Sequence, residues 1–147
     1  MAQTIETDIE IDAPVEQVWA TFSDFERWPD WNPFVVSLKG NVAVGEKLEV
    51  RLQPPGGKPM TFKPKVVAHE ADRELRWLGH LLVPGVFDGE HHFSVETVDG
   101  GRTRFTQREE FRGLLAGLTL RLIRDKTTRG FEAMNQALKD RVEGNNA

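Results

Sequence analysis

The 147-residue sequence contains no cysteine and no tyrosine. Without cysteine, the chain has no disulfide framework, no thiol nucleophile and no thiolate metal site. Its longest apolar runs fall far short of the ~20 residues that a membrane-spanning helix needs. The N-terminal segment MAQTIETDIEID is acidic and has no apolar stretch, so no secretory signal is expected. These absences predict a cytoplasmic protein, and the length predicts a single domain over residues 1–147.

Acidic residues outnumber basic ones, 23 against 19, for a net charge of −4. Because duplex-binding proteins normally carry a basic excess, nucleic acid is not expected as a partner. The charge is unevenly spread: residues 1–50 hold three basic and ten acidic side chains, and residues 102–129 hold eight basic and three acidic ones. The basic stretch is either a solvated face or a patch that meets an anionic ligand or lipid headgroup. The patch would comprise Arg121, Arg124, Lys126 and Arg129.

The first forty residues predict one strand followed by short helices. Residues 5–11 alternate between isoleucine or threonine and acidic side chains, which is typical of a strand with one solvated face. Residues 14–22 begin with proline and place apolar side chains at helical spacing, which predicts a short amphipathic helix. A second short helical turn is expected through Phe25, ended by Pro29 and Pro33.

The middle of the chain predicts six further strands from alternating side chains. Asp99-Gly100-Gly101 indicates a hairpin between the last two. Pro64 predicts an edge position or a bulge, because proline has no N–H to donate to a sheet. The alternating sets are Phe34, Val36 and Leu38, then Leu48, Val50 and Leu52, then Phe62, Pro64 and Val66, then Leu75 and Trp77, then Phe87, His91, Phe93 and Val95, then Phe105, Gln107, Glu109 and Phe111.

The period changes in the C-terminal segment. From Leu120 to Val142 the face-forming residues recur every three or four positions, which predicts a helix of roughly 25 residues. An antiparallel sheet needs an element to cover its apolar face, and only this helix has a suitable length. The sequence therefore predicts an α+β fold, a curved antiparallel sheet of about seven strands wrapped on a long C-terminal helix, with two short helices after strand 1. A gap between sheet and helix is expected to bind apolar ligands.

Several motifs, taken together and in this order, resemble the START/polyketide cyclase (SRPBCC) superfamily. They are Val18-Trp19 with the string FERWPDWNP at 25–33, RWLG at 76–79, FDGEHHF at 87–93, EEFRG at 109–113 and GFEAMN at 130–135. The chain is most similar to the small bacterial polyketide cyclase/dehydrase-like members. The resemblance implies a helix-grip fold with a hydrophobic cavity between the sheet and the long helix. It does not imply one activity, because relatives include lipid carriers, plant ligand-binders, cyclases, quinone-binding proteins and chaperone activators.

His91 and Glu109 form the candidate polar pair, on otherwise apolar faces of neighbouring strands. A three-residue loop at 99–101 would place them directly opposite, with Cβ atoms about 4.5–5.5 Å apart. A five-residue loop or a bulge would also keep both faces inward. A carboxylate facing an apolar cavity is costly unless it is paired. The pair is a structural ion pair, an anchor for a ligand carbonyl or hydroxyl, or a general acid and base; alternatively, Glu109 reaches water at the cavity mouth.

The remaining predicted ligand-binding residues share the inward-facing positions. Trp28, Trp31 and Phe34 form a lid, or else they hold the short helices to the sheet. The apolar loop around Pro84 and Gly85, with Leu81, Leu82, Val83, Val86 and Phe87, is a second gate or a packed connection. The full predicted set, besides His91 and Glu109, is Trp28, Trp31, Phe34, Phe62, Trp77, Phe87, Phe93, Phe105, Gln107, Phe111, Phe131, Met134 and Leu138.

The leading hypothesis is binding or carriage of a small hydrophobic molecule, such as a lipid, a polyketide or an isoprenoid-like compound. One alternative is a cyclase or dehydratase acting on a poly-carbonyl substrate, which the absence of tyrosine weakens. A second is a protein-interaction module that uses the basic surface of residues 102–129. No metal is expected, because the adjacent His91 and His92 face opposite sides of a strand. No cofactor is expected without a phosphate loop or dinucleotide fingerprint, and no stable membrane insertion is expected.

Overall fold

A computed structural model describes residues 3–80 and 83–144 of the chain. It begins with strand β1 (Gln3–Ile11) and helix α1 (Val15–Phe22), followed by a 3-10 turn (Phe25–Arg27) and the short helix α2 (Trp28–Trp31). The apolar side chains that predicted α1 are its buried face. Two short helices therefore follow the first strand, as predicted.

Pro29 does not end the short helices, contrary to the prediction. It lies in the first turn of α2, where its missing N–H removes no intrahelical hydrogen bond. The helix ends at Asn32, just before Pro33. The Asn32 side-chain oxygen accepts hydrogen bonds from the backbone N–H groups of Phe34 and Val35, at 3.0 and 2.9 Å. These two bonds direct the chain into the next strand.

Seven further strands form two antiparallel sheets with β1. A five-stranded sheet has the order β1-β8-β7-β6-β5, and a three-stranded sheet has the order β2-β3-β4. An isolated bridge between Lys47 and Lys65 links the two sheets. The strands are β2 (Val35–Lys39), β3 (Glu49–Leu52), β4 (Met60–Phe62), β5 (Lys65–Glu70), β6 (Glu74–His80), β7 (Asp88–Thr97) and β8 (Thr103–Arg112).

The structure has eight strands, one more than the seven predicted, because one predicted strand is divided at Pro64. The sequence pattern predicted one strand through residues 62–66, but β4 and β5 lie on either side of Pro64. Proline cannot donate to a sheet, whereas its carbonyl oxygen accepts a hydrogen bond from the Leu48 N–H at 2.8 Å. The break lets the chain leave the smaller sheet and enter the larger one. A bulge follows between Val66 and Ala68.

The predicted register of the last hairpin is confirmed. Asp99–Gly101 forms a short 3-10 turn, and β7 pairs with β8 so that His91 lies directly opposite Glu109. Gly100 and Gly101 have φ values of 70° and 75°, a left-handed conformation that glycine adopts without strain. The apolar, odd-numbered faces of both strands therefore point to the same side of the sheet.

Helix α3 (Ala116–Gly144) is 29 residues long and packs against β1 and β8. Its predicted apolar face is buried over most of its length, whereas Ile123 and Thr127 are only half-buried. The predicted α+β architecture, a curved antiparallel sheet on a long C-terminal helix, is confirmed. Among the described residues, no helix has the length and apolar character needed to cross a membrane.

Candidate functional site

A cavity of about 360 Å³ lies between the larger sheet, the β3–β4 hairpin and the first half of α3. Apolar and aromatic side chains form most of its wall, together with three glycines. Polar groups enter it from two sides, His91 and Glu109 from the sheet and Thr119, Lys126 and Thr127 from α3. The other lining residues are Phe34, Leu52, Pro54, Gly57, Met60, Phe62, Trp77, Gly79, Phe87, Gly89, Phe111 and Ile123.

Two paired glycines leave space for neighbouring side chains, Gly89 for Glu109 and Gly79 for Phe62. Gly79 in β6 lies opposite Gly89 in β7. A Cβ on Gly89 would overlap the Glu109 carboxyl group, and one on Gly79 would lie 3.1 Å from the Phe62 ring. Glycine weakens the interior of a strand, and it often marks a site that another group approaches closely. Larger residues at these positions would close the cavity from the sheet side.

A chain of buried hydrogen bonds orients the imidazole of His91. Gln107 uses its amide N–H groups to donate to the Asn135 side-chain oxygen at 2.7 Å and the Phe131 carbonyl at 3.2 Å. The Asn135 amide in turn donates to the Thr7 hydroxyl at 2.9 Å. The Gln107 oxygen, 2.9 Å from His91 Nε2, must therefore accept a hydrogen bond from it. This arrangement places the proton on Nε2 and leaves a lone pair on Nδ1.

The carboxyl group of Glu109 faces that lone pair. Its Oε1 lies 3.6 Å from His91 Nδ1, and its side chain is 17% exposed. Burial raises the pKa of Glu109 to about 8. Burial also lowers the pKa of His91 to about 3, outweighing the opposing effect of the Gln107 hydrogen bond. These opposite shifts favour the neutral forms of both groups, a protonated acid beside a neutral base, over an ion pair.

This arrangement supplies a hydrogen-bond donor inside an apolar cavity. A protonated carboxyl has one O–H to donate, and Nδ1 of His91 can accept a proton. A carbonyl or hydroxyl oxygen placed beside Glu109 would receive a strong hydrogen bond, since the low local dielectric of an apolar wall strengthens it. The same acid and base could also transfer a proton to and from a bound molecule.

The sequence profile of the family described as polyketide cyclase/dehydrase and lipid transport matches residues 2–143. The chain belongs to this family. The resemblance to the START/polyketide cyclase superfamily, stated above from the sequence motifs, is thereby confirmed. A search of curated proteins found no match to the sequence.

Solved structures show the same fold at low sequence identity. The Zhui aromatase/cyclase from Streptomyces sp. R1128 has a TM-score of 0.78 and 16% identity, over 97% of this chain and 94% of its own. A START superfamily protein from Mycobacterium smegmatis has a TM-score of 0.71 and 19% identity, over 96% and 97%. Norcoclaurine synthase from Thalictrum flavum, in complex with dopamine and hydroxybenzaldehyde, has a TM-score of 0.74 and 16% identity, over 98% and 88%. These similarities establish the helix-grip fold.

The structure brings only part of the predicted ligand-binding set to the cavity. The predicted residues that line it are Phe34, Phe62, Trp77, Phe87, His91, Glu109 and Phe111. The predicted residues that lie elsewhere are Trp28, Trp31, Phe93, Phe105, Gln107, Phe131, Met134 and Leu138. Phe93 and Phe105 pack against Phe22 of α1, with ring centroids 5.2 and 5.5 Å apart. The short helices therefore fill the other end of the sheet–helix gap.

The tryptophans of the predicted lid belong to this packed end. Trp28 is fully buried, and its indole N–H donates to the Phe22 carbonyl at 2.7 Å. Trp31 is half-buried and contacts Trp28, with ring centroids 6.1 Å apart. The structure thus places both where they hold the short helices to the sheet, while Phe34 lines the cavity. In the second predicted gate, Leu81 and Leu82 lie outside the described residues.

Ten lining residues were not in the predicted set. Two are the strand glycines, Gly79 and Gly89, whose unfavourable position inside strands was a usable signal. Ile123 and Thr127 lie on the predicted apolar face of α3, at the end that the short helices leave uncovered. Leu52 belongs to one of the predicted alternating sets, and Lys126 belongs to the predicted basic patch. The others, which no sequence signal distinguished, are Pro54, Gly57, Met60 and Thr119.

One cluster with metal-ligand chemistry lies on the opposite face of the sheet. Glu90, His92 and Glu110 have potential ligand atoms within 4.8 Å of one another. Both carboxylate oxygens of Glu110 already bind arginines, Arg108 at 2.5 Å and Arg112 at 3.2 Å. A cation would have to displace these guanidinium groups. The cluster is separate from the cavity, whose lining includes only His91 and Glu109 among potential ligands in the described chain.

Proposed function

We propose that the protein binds a small, largely apolar molecule that carries a carbonyl or similar hydrogen-bond acceptor. The observation that carries this proposal is the position of the Glu109 carboxyl, beside His91, on the wall of an apolar cavity of about 360 Å³, where burial raises its pKa to about 8. Pockets for small molecules usually combine apolar walls with a few polar groups, in volumes of about 300–1,000 Å³. Burial of ligand surface supplies most of the affinity, at roughly 25 cal/mol per Å² before entropic costs.

Glu109 selects the ligand by hydrogen bonding. An acceptor on the ligand satisfies the buried O–H of the neutral acid, whereas a purely apolar ligand leaves it only His91 Nδ1, which at 3.6 Å is beyond hydrogen-bond distance. An unsatisfied buried polar group costs about 1–3 kcal/mol, which is a loss of affinity of about five- to 150-fold. Lipids, polyketides and isoprenoid-like molecules that contain a carbonyl or hydroxyl all fit this requirement.

A second candidate function is cyclisation or dehydration of a poly-carbonyl substrate. The specific observation in its favour is the juxtaposition of a protonated acid and a neutral imidazole, Glu109 and His91, 3.6 Å apart on the cavity wall. Glu109 would protonate a carbonyl oxygen while His91 Nδ1 accepts the proton that leaves a neighbouring carbon. The family and the aromatase/cyclase neighbours support this alternative.

Binding is tested with Nile red, an uncharged fluorescent dye that has a carbonyl oxygen. We expect wild-type affinity to fall as pH rises through about 8, because the ionised carboxylate no longer donates a hydrogen bond. Glu109→Gln should bind with little pH dependence, since its amide still donates. Thr119→Trp should block the cavity, whereas the matched change Gln136→Trp, at an exposed site on the same helix, should not. Equal dye affinity in wild type and Thr119→Trp would refute the cavity as the binding site.

Binding and catalysis are separated by looking for product. Native mass spectrometry of freshly purified protein, followed by solvent extraction, identifies any bound molecule and its class. That molecule is then incubated with wild-type protein and with Glu109→Gln. A chemically altered product that appears only with wild type favours the cyclase or dehydratase. Recovery of the molecule unaltered, together with its release as the pH rises, favours a carrier function.

A further inference from the structure

An exposed apolar surface borders the cavity opening. We call it the rim, and it consists of Val83, Leu114, Leu115, Leu118 and Leu122. Leu114 is 89% exposed and Leu122 is 78% exposed. The rim holds five of the eight large apolar side chains that are exposed in the described part of the chain, and a sixth, Met60, lines the cavity. A contiguous patch of exposed apolar side chains is typical of an interaction surface.

Backbone hydrogen bonds fix the position of Leu114 and Leu115, two of the exposed rim leucines. The N–H groups of Leu114 and Leu115 donate to the carbonyls of Gly85 and Val86, at 3.0 and 2.9 Å. Gly113 turns the chain just before them with a φ of 122°, and a Cβ there would overlap the Val86 carbonyl. The two segments of the rim are therefore fastened together, and the exposure of the leucines follows from this architecture.

The rim adjoins the residues of α3 that line the cavity. Leu118 and Leu122 lie one helical turn apart on α3, and each precedes a lining residue, Thr119 or Ile123. Lys126, one turn beyond Leu122, lines the cavity as well. Whatever covers the rim therefore also faces the opening of the cavity.

Basic side chains on α3 lie beside the rim leucines of that helix and follow them along the chain. Between residues 116 and 129, α3 carries four basic side chains and one acidic one, in a protein whose net charge is −4. Within the described chain, no ion pair involves Arg121, Lys126 or Arg129; the only hydrogen bond among them joins Arg129 to a backbone carbonyl. Leucines next to unpaired cations are the composition of helices that lie in the membrane interface.

We propose that the rim docks on a lipid bilayer with anionic headgroups. The leucines would enter the boundary between headgroups and acyl chains, while Arg121 and Arg129 meet the lipid phosphates. A second copy of the chain is a poorer occupant, because a two-fold interface would bring two positive surfaces together. Docking in this way does not depend on which molecule occupies the cavity, and it places the cavity opening at the bilayer surface.

The proposal is tested by flotation of the protein with vesicles. Wild type should float with phosphatidylglycerol/phosphatidylcholine vesicles and not with pure phosphatidylcholine, and added salt should weaken binding. Arg121→Gln/Arg129→Gln should lower the partition coefficient about thirty-fold, or roughly five-fold per charge. Leu118→Gln/Leu122→Gln should lower it at least about ten-fold. The matched control is Lys39→Gln/Val44→Gln, which removes one exposed cation and one exposed apolar side chain away from the rim.

All these positions are exposed, so the variants should fold, and thermal unfolding checks this. Loss of flotation in both rim variants, with retention in the control, supports the proposal. Absence of wild-type flotation, equal flotation with neutral vesicles, or rim variants that float like wild type would overturn it. A wild-type dimer that the leucine variant abolishes, with no vesicle binding, would overturn it in favour of a second copy as the occupant.

Discussion

Replacing Glu109 by glutamine should stabilise the protein at alkaline pH. Burial raises the pKa of Glu109 from 4.5 to about 8, so between these values the native state holds a proton that the unfolded chain releases. Its contribution to stability is therefore complete below pH 4.5 and is lost as pH rises to about 8. Each pH unit in this interval lowers the free energy of unfolding by about 1.4 kcal/mol, and the total over the interval is roughly 4–5 kcal/mol.

His91 acts in the opposite direction and shapes the profile. Burial lowers its pKa from 6.5 to about 3, so its contribution is complete above pH 6.5 and is lost as pH falls towards 3. Between pH 4.5 and 6.5 the two slopes cancel. The contribution of the pair to the free energy of unfolding should therefore stay constant between these values. It should then decline by about 2 kcal/mol, through Glu109 alone, as pH rises from 6.5 to about 8.

Urea unfolding, followed by tryptophan fluorescence at several pH values, measures this profile. The difference in unfolding free energy between Glu109→Gln and wild type should grow by about 1.4 kcal/mol per pH unit up to about pH 8. Taking the difference removes the contributions of groups common to both proteins. Glu49→Gln, an exposed carboxylate in β3, is the matched control, and its profile should follow that of wild type. If the difference in unfolding free energy between Glu109→Gln and wild type stays constant with pH, the hypothesis that Glu109 is a neutral, buried acid is refuted.

Two further predictions concern packing and the hydrogen-bond chain. Gly130→Ala should destabilise the protein by about 1–3 kcal/mol, because the new Cβ would overlap the Phe34 ring. In the same helix, Gly117→Ala meets nothing within 4 Å and should stabilise by up to about 1 kcal/mol, so equal urea midpoints for the two variants would contradict this assignment. Asn135→Ala removes one acceptor of the Gln107 amide and should cost about 1–3 kcal/mol in the same assay. If the hydrogen-bond chain sets the His91 tautomer, Asn135→Ala should also alter the His91 ring signals in nitrogen-15 NMR spectra, and unchanged signals would argue against that role.

Much of the fold followed from local pattern. Alternation and the three-residue turn at 99–101 were enough to pair His91 with Glu109, because side chains in a strand repeat every two residues. The period of the C-terminal segment predicted the face of α3. Pro64 was recognised as an irregularity, but whether it makes an edge, a bulge or a break depends on the neighbouring strands. The break became visible only with the second sheet in place.

The division between core and cavity was decided by tertiary packing. Phe93 and Phe111 occupy equivalent inward positions in their strands, yet Phe93 packs under the short helices and Phe111 lines the cavity. Periodicity reports which face is buried and not which element covers it, and the short helices cover one end of the sheet only. The partner of His91 was likewise decided in three dimensions, since Asn135 of α3 orients the Gln107 amide.

The sequence by itself predicted the register of the last hairpin for a three-residue loop, the buried faces of the helices, and an acid and an imidazole on inward faces of adjacent strands. The tertiary structure decided that burial favours the uncharged forms of these two groups, which aromatic residues line the cavity, and that a leucine-rich surface adjoins it. The physical reason is the range of each effect: backbone geometry and side-chain period act between neighbours along the chain. Desolvation, cavity volume and exposure depend on segments that are distant in sequence and meet only in the folded protein.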